Sequence, residues 1–203
     1  MSGARKEIDA PASFTPALGY RALTPLYDSA IALLTREQIW RSALVDLIAL
    51  KDGERLLDVG CGTGSLILRL ASRAPGADAQ GIDPDTDVLR RARARTAAAG
   101  VAAAFHEGFL TEEFLDRQRA FDVVTSSLVF HQVPLDGKRA LLSMMHRALK
   151  PLGRLVIADY SLQRSPTMRA LFRATVQALD GVADTQPNAD GVLPALIRSA
   201  GFS

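Results

Sequence analysis

Residues Leu56–Leu66 read LLDVGCGTGSL, in which three glycines occupy alternate positions directly after an apolar run. A glycine backbone has no Cβ, so it can turn tightly or come close to a ligand. The dinucleotide fingerprint G-x-G-x-x-G requires glycine where this chain has Ser65, and the phosphate-binding P-loop requires a lysine that the stretch lacks. Asp58 stands just before the first glycine, where a fixed carboxylate repels a pyrophosphate and attracts positive charge. The stretch therefore favours a cationic ligand over a phosphate.

Outward from this glycine loop, apolar segments of strand length alternate with segments of helical periodicity. Strands are predicted over 55–60, 77–83, 101–108 and 154–160, with a further strand beginning at Phe121, and helices over 29–50, 64–73, 84–100, 136–150, 166–180 and 190–200. This alternation predicts an α/β fold, a doubly wound, Rossmann-like parallel sheet flanked by helices. Such a sheet binds ligands beyond the carboxyl ends of its strands, where the glycine loop would lie.

Composition and charge are those of a single-domain globular protein. The chain has 203 residues, enough for one sizeable core, and 48% of them are apolar. Lys and Arg number 24 against 22 Asp and Glu, so no general attraction to nucleic acid or to a membrane is expected. The basic run Arg90–Arg95 is interpreted as a solvent-facing helix surface. The single cysteine, Cys61, excludes an internal disulfide, no Cys/His spacing indicates a metal site, and no segment resembles a signal peptide or a membrane span. We expect a cytoplasmic protein without bound metal.

A second acidic residue, Asp83, ends the predicted second strand in the sequence GID. A carboxylate at that place in a doubly wound sheet is suited to hydrogen-bond both hydroxyls of a ribose. A ribose and a positive charge without a phosphate describe S-adenosylmethionine. The residues therefore favour this cofactor, and a nicotinamide-dependent oxidoreductase is the less favoured alternative.

Four segments, LLDVGCGTG, GID, FDVVTSSLVFHQVP and LKPLGRLVIADY, resemble the successive motifs of the class I S-adenosylmethionine-dependent methyltransferases. The resemblance runs from about Tyr27 to the C-terminus and is nearest to the small-molecule branch typified by the ubiquinone/menaquinone-biosynthesis enzymes. It implies methyl transfer to a small-molecule acceptor by in-line displacement, in a domain over residues 29–203. Residues 1–28 would form a lead-in and cofactor lid. A non-catalytic S-adenosylmethionine-binding or interaction protein is the alternative.

The resemblance also implies where the cofactor lies. Asp58, Gly60, Gly62 and Gly64 would line its methionine part, and Asp83 would hold its ribose. The other residues implied at the cofactor are Tyr27, Cys61, Pro84, Gly108, Phe109, Ser126 and Ser127.

Methyl transfer from a sulfonium needs orientation more than acid–base help, because the leaving group is already in place. If the acceptor must lose a proton, the candidates by position are His131, Asp159 and Tyr160, which follow the predicted fourth and fifth strands. His131 is the first choice as a base or an acceptor-orienting group. The alternative interpretation, equally open, is that its side chain only fills the loop. Cys61 has no evident basic neighbour and is expected to be a small loop residue rather than a nucleophile.

The end of the chain carries a further expectation. In the family's full fold, a Gly-Phe pair such as Gly201-Phe202 leads into a sixth strand and an antiparallel seventh, which this sequence lacks. Without them the fifth strand would be an exposed apolar edge, which globular proteins usually avoid. We expect either a truncated chain or a homodimer in which a second copy covers this edge.

Overall fold

The computed structural model describes residues 37–203, and its first helix is α1 (Glu37–Ile48). The lead-in and lid over 1–28, the cofactor contact of Tyr27 and the start of the helix predicted from position 29 lie outside the described residues. Along α1, Leu44, Val45 and Ile48 are buried and share one face of the helix. This face packs the helix against the central sheet.

Five parallel strands form one sheet in the order β3-β2-β1-β4-β5. The strands are β1 (Arg55–Val59), β2 (Asp78–Asp83), β3 (Ala104–Glu107), β4 (Phe121–Ser127) and β5 (Leu149–Ala158). In the central strand β1, Asp58 stands opposite Gly81 of β2 and Thr125 of β4. The strand order reverses here, so the ligand crevice is expected at the carboxyl ends of β1 and β4. The predicted doubly wound parallel sheet is confirmed.

Helices connect the strands and continue after β5. They are α2 (Ser65–Arg73), α3 (Thr86–Ala98), α4 (Glu112–Asp116), a 3₁₀ turn (Phe130–Gln132), α5 (Leu135–Ala148), α6 (Pro166–Phe172), a π turn (Arg173–Gln177), α7 (Ala178–Asp180), α8 (Val182–Ala189) and α9 (Leu193–Ser199). Among the described helices, none is long and apolar enough to span a bilayer.

Both faces of the sheet are covered. Leu56 packs into a cluster with α1 and α2, whereas its neighbour Leu57 packs into a second cluster with α5. Successive residues of a strand point to opposite faces, so a continuous apolar run such as that of β1 needs helices on both sides. This explains why the motif before the glycine loop is apolar without alternation.

The structure differs from the sequence-based prediction mainly after β5. The helix predicted over 166–180 contains the π turn, and Val182–Ala189 is helical although no helix was predicted between 180 and 190. β3 is shorter than predicted, and β5 begins at Leu149 rather than Arg154. Among residues 37–203, β5 pairs with β4 alone, and no strand follows it.

Candidate functional site

The three glycines of the loop have positive φ angles of 71° at Gly60, 51° at Gly62 and 71° at Gly64. Their surroundings differ. A Cβ on Gly60 would lie 2.3 Å from Cγ2 of Val129, and one on Gly64 would lie 3.0 Å from Cβ of Ala92. These two positions need glycine because other side chains of the protein pack against their backbone. A Cβ on Gly62 would meet no described atom within 4 Å. The middle glycine is therefore the one that opens onto free space.

Asp58 is a buried carboxyl group at the end of β1, only 1% exposed, and its Oδ1 has no hydrogen-bond partner among the described residues. Burial raises the pKa of Asp58 to about 8, against a smaller opposing effect of Arg41. An orphaned buried carboxyl oxygen is costly unless something binds it. A ligand carrying positive charge beside the loop would satisfy it and restore the ionised form.

Asp83, at the end of β2, holds the glycine loop in place. Its Oδ2 accepts a hydrogen bond from the backbone N–H of Gly62 (2.9 Å), and its Oδ1 accepts one from Asp85 (3.0 Å). Burial raises the pKa of Asp83, while these two hydrogen bonds oppose the shift. A carboxylate offers about four acceptor positions, so both oxygens can still accept from a ligand hydroxyl. Pro84 follows directly, and Asp85 caps α3 by accepting from Asp87 and Val88.

The remaining strand-end residues fall into two groups. Gly108 has a φ of 128° and donates to the Asp83 carbonyl, with open space where its Cβ would be, and Phe109 beside it is about half exposed. Ser126, in contrast, is fully buried and its hydroxyl donates to the carbonyl of Val59 (2.8 Å), which ties β4 to β1. Ser127 ends β4 and is partly exposed.

The three candidate catalytic residues are brought into contact. Nδ1 of His131 lies 2.9 Å from Oδ1 of Asp159, and the His131 ring packs edge-on against Tyr160 with centroids 4.9 Å apart. A residue that the sequence analysis did not identify, Asp180 of α7, lies 3.3 Å from the other ring nitrogen, Nε2. The backbone N–H of Phe130 completes the surroundings of Asp159 by donating to its Oδ2 (2.7 Å).

His131 is charged in this environment. Burial favours the neutral ring, but the hydrogen bonds to Asp159 and Asp180 outweigh it and raise the pKa of His131 to about 9. An imidazolium whose two nitrogens both face carboxylates has no lone pair to accept a proton. At neutral pH the arrangement does not favour His131 as a general base.

Sequence and fold relatives of the chain are methyltransferases. A family model described as a methyltransferase domain matches residues 56–153. A demethylmenaquinone methyltransferase of Thermus thermophilus is 37% identical over 144 residues, which are 70% of this chain and 64% of that protein. A ubiquinone/menaquinone biosynthesis C-methyltransferase of Cereibacter sphaeroides is 33% identical over 133 residues, which are 65% of this chain and 52% of that protein. The chain belongs to the class I S-adenosylmethionine-dependent methyltransferases.

The fold comparison agrees. The solved structure of an O-methyltransferase family protein from Burkholderia thailandensis matches 88% of this methyltransferase and 53% of its own chain, with a TM-score of 0.68 and 19% identity. At that identity the likeness shows the fold alone. The methyltransferase spans 64% and 52% of the length of the two sequence relatives. Their names support the ubiquinone/menaquinone branch that the motifs indicated.

S-adenosylmethionine is the family's cofactor, and the residues present in this methyltransferase fit it. The orphaned oxygen of Asp58 matches a cation, and the open side of Gly62 leaves the room that a side chain would fill. Asp83 keeps free acceptor positions at the ribose side. Among the described residues, no group of three or more His, Cys, Asp or Glu side chains is arranged to hold a metal ion.

One positioning residue was missed by the sequence analysis. Nη1 of Arg95, on α3, lies 3.0 Å from Oγ1 of Thr63 and 2.8 Å from Oγ of Ser65, so it braces the second half of the glycine loop. The interpretation of the Arg90–Arg95 run as a solvent-facing helix surface holds for Arg95, which is exposed although its guanidinium contacts the loop. Its only sequence signal is its spacing along α3, which does not show which loop the helix packs beside.

Cys61 and His106 have structural contacts. The Cys61 side chain is buried against Gly81, and burial raises the pKa of its thiol, which keeps it protonated. A protonated thiol is a poor nucleophile. Nε2 of His106 lies 3.0 Å from Oε1 of Gln80, and its ring packs edge-on against Phe114.

Proposed function

We propose that this chain transfers a methyl group from S-adenosylmethionine to a small-molecule acceptor. The observation that carries the proposal is the buried carboxyl oxygen of Asp58, which has no hydrogen-bond partner within residues 37–203, beside the backbone of Gly62, against which nothing in that range packs. The proposed contacts of Asp58, Gly60, Cys61, Gly62 and Gly64 are to the methionine part of the cofactor. Those of Asp83 are to the ribose, and Pro84, Gly108, Phe109, Ser126 and Ser127 would border the nucleoside.

When bound, S-adenosylmethionine supplies a methyl carbon on a positively charged sulfur, which leaves as a neutral thioether when the acceptor atom takes the methyl. The chain's own contribution is to hold the two reactants in line. Correct orientation alone lowers a barrier by roughly 7–11 kcal/mol. Asp58 would attract the cationic end, and the hydrogen bonds of Asp83 to Gly62 and Asp85 would keep the loop in a fixed shape.

The acceptor that the relatives' names support is a quinol-type ring, methylated at carbon. In that reaction the methyl–sulfur bond breaks as the new bond joins the methyl to a ring carbon, and the ring carbon then gives up its proton to water. Leu128, which is apolar and partly exposed directly after β4, is suited to contact such a ring. An oxygen acceptor on an apolar ring is the second candidate.

His131, Asp159 and Tyr160 are proposed to position the acceptor rather than to abstract a proton. The charged state of His131 supports this, because an imidazolium has no lone pair to accept a proton, and its two ring nitrogens face Asp159 and Asp180, whose positions it fixes. Asp159 is occupied by hydrogen bonds on both oxygens, from Phe130, His131 and Tyr160.

Wider organisation is also proposed. Residues 29–203 would form the methyltransferase domain and residues 1–28 a lid that includes Tyr27. A homodimer through the edge of β5 is proposed because, within residues 37–203, the outer backbone edge of β5 pairs with no further strand. No nucleic-acid or membrane partner is proposed, since the net charge is only +2, and cytoplasmic localisation is proposed on the same sequence grounds.

The test is transfer of labelled methyl from S-adenosylmethionine to a water-soluble naphthoquinol and to a catechol, each with and without the chain. Product on the naphthoquinol carbon is expected. Tight binding of S-adenosylmethionine without turnover on any acceptor would support the non-catalytic alternative. Hydride transfer with NAD would support the oxidoreductase.

A further inference from the structure

Several polar links fasten the segment Ala178–Ala189, which comprises α7 and α8, to the ends of the sheet, including hydrogen bonds from Asn188 to Asp159 and from the backbone of Gln163 to Ala189. Asp180 faces Nε2 of His131, the carbonyl of Asp184 accepts from Nζ of Lys138 (2.9 Å), and Nδ2 of Asn188 donates to the carbonyl of Tyr160 (3.0 Å). The partners lie just after β4, on α5 and just after β5. The segment therefore covers the carboxyl ends of β4 and β5.

The links differ in exposure. The side chains of Lys138 and Asn188 are fully buried, whereas that of Asp180 is 24% exposed. Asp180 also directly precedes Gly181, whose φ of 82° and ψ of 158° interrupt the helix between α7 and α8. Asp180 therefore holds the more exposed end of the segment, next to the interruption of the helix at Gly181.

The charges around His131 make this contact an ion pair. Asp159 faces Nδ1 and Asp180 faces Nε2, and the side-chain amide of Gln132 lies 3.3 Å from Nε2. The ring of Tyr160 packs on the imidazole, and the ammonium of Lys138 is close enough to Asp159 to interact with it. Removing the Asp180 charge would leave the imidazole with one carboxylate and one neutral amide.

A shift of His131 would move its neighbours. Tyr160 packs edge-on against His131 at 4.9 Å and against Phe172 at 5.3 Å, so its ring is held between the 3₁₀ turn and α6. Asp159, bonded to the same imidazole, also accepts from the backbone of Phe130 and Tyr160. The position of the groups that follow β4 and β5 thus depends on where the imidazole is held.

We propose that Asp180 is a positioning residue: through its contact with His131 it locks the segment Ala178–Ala189 over the ends of β4 and β5, and so fixes the acceptor side of the site. This inference rests on the proposed function for its effect on turnover. Its structural part stands separately, since the contact of Asp180 with His131 is open to direct observation. Asp180 is not expected to contact the cofactor loop, which lies at the ends of β1 and β2.

The test compares Asp180→Asn with Asp180→Glu and with Asp184→Asn. Asp184→Asn is the matched control, because it removes the same charge from the same segment and keeps the backbone contact with Lys138, and because the Asp184 carboxylate acts electrostatically on Lys138 and not on His131. Three quantities are measured: the pKa of His131 by nuclear magnetic resonance, the affinity for S-adenosylmethionine, and kcat and KM for a water-soluble naphthoquinol.

Asp180→Asn is expected to lower the pKa of His131 and to raise the acceptor KM by about tenfold, as for loss of one charged hydrogen bond. The Kd for S-adenosylmethionine should stay within about twofold. Asp180→Glu should keep the pKa of His131 and the acceptor KM close to their wild-type values, and Asp184→Asn should change neither.

An unchanged His131 titration in Asp180→Asn would overturn the proposal, as would equal losses of acceptor and cofactor affinity. If the wild-type chain shows no turnover, the proposed function fails, and the proposal is judged by two other measurements. These are the His131 titration and hydrogen exchange over 178–189, which should become faster in Asp180→Asn and not in Asp184→Asn.

Discussion

The stability of the chain should depend on pH through His131, and His131→Gln should remove the part of that dependence that His131 contributes. Hydrogen bonds to Asp159 and Asp180 outweigh burial and raise the pKa of His131 from 6.5 to about 9. Because the folded-state pKa is the higher one, the stabilisation is fully present below about pH 6.5 and is lost as the pH rises toward about 9. The difference between these values corresponds to about 3 kcal/mol of unfolding free energy.

The measurement is urea unfolding of wild type and His131→Gln at several pH values, followed by circular dichroism. Two other groups change stability in the same range. Burial raises the pKa of Asp58 to about 8, so the contribution of Asp58 to the unfolding free energy falls as the pH rises toward 8. Burial lowers the pKa of Lys138 to about 8, so the contribution of Lys138 to the unfolding free energy rises above that pH. Both are present in each protein and cancel in the difference. The wild-type advantage should be about 3 kcal/mol larger at about pH 6 than at about pH 9.5, and an advantage that is constant or grows with pH would refute the assignment of an imidazolium.

Three further substitutions test other parts of the structure. Asp58→Asn should raise the unfolding free energy at about pH 8, because it removes a buried carboxyl whose ionisation favours the unfolded state. The same substitution should weaken S-adenosylmethionine binding by about 10–100-fold in calorimetry. A loss of both stability and cofactor binding would indicate a structural role for Asp58. Arg95→Met should weaken the same binding by about 3–10-fold through a looser glycine loop, with kcat unchanged, whereas Arg93→Met on the same helix should not. Leu152→Gly should raise the unfolding free energy by about 0.5–1 kcal/mol. Leu152 is fully exposed and has a φ of 66°, so glycine would relieve about 1–2 kcal/mol of backbone strain, which exceeds the conformational entropy that a glycine loses on folding. Thermal unfolding checks the last result, and a lower midpoint would contradict it.

The sheet and the positions of Asp58 and Asp83 at one edge of it were predictable because their signals are local. The apolar run before Gly60 requires both faces of β1 to be covered, and Asp58 and Asp83 stand at strand ends that a parallel sheet must bring to one edge. The same rule placed His131 and Asp159 together, since they follow the neighbouring strands β4 and β5.

The features that the sequence did not predict depend on contacts between distant segments. Asp180 lies in a segment with a π turn and a glycine break, so its periodicity does not show which side faces the sheet. Arg95 belongs to a run of exposed arginines, and the sequence does not distinguish the one that reaches Thr63 from its neighbours. The charge of His131 likewise depends on Asp180, which sequence reasoning had no means of placing near it.

Calorimetric titration of the chain with S-adenosylmethionine and, separately, with NAD measures the ligand that the glycine loop selects. Wild type should bind one S-adenosylmethionine per chain and no NAD. Asp83→Ala should lose most of this binding, because Asp83 both fixes the loop at Gly62 and faces the ribose in the proposed site. Absence of S-adenosylmethionine binding, or preferred binding of NAD, would contradict the account.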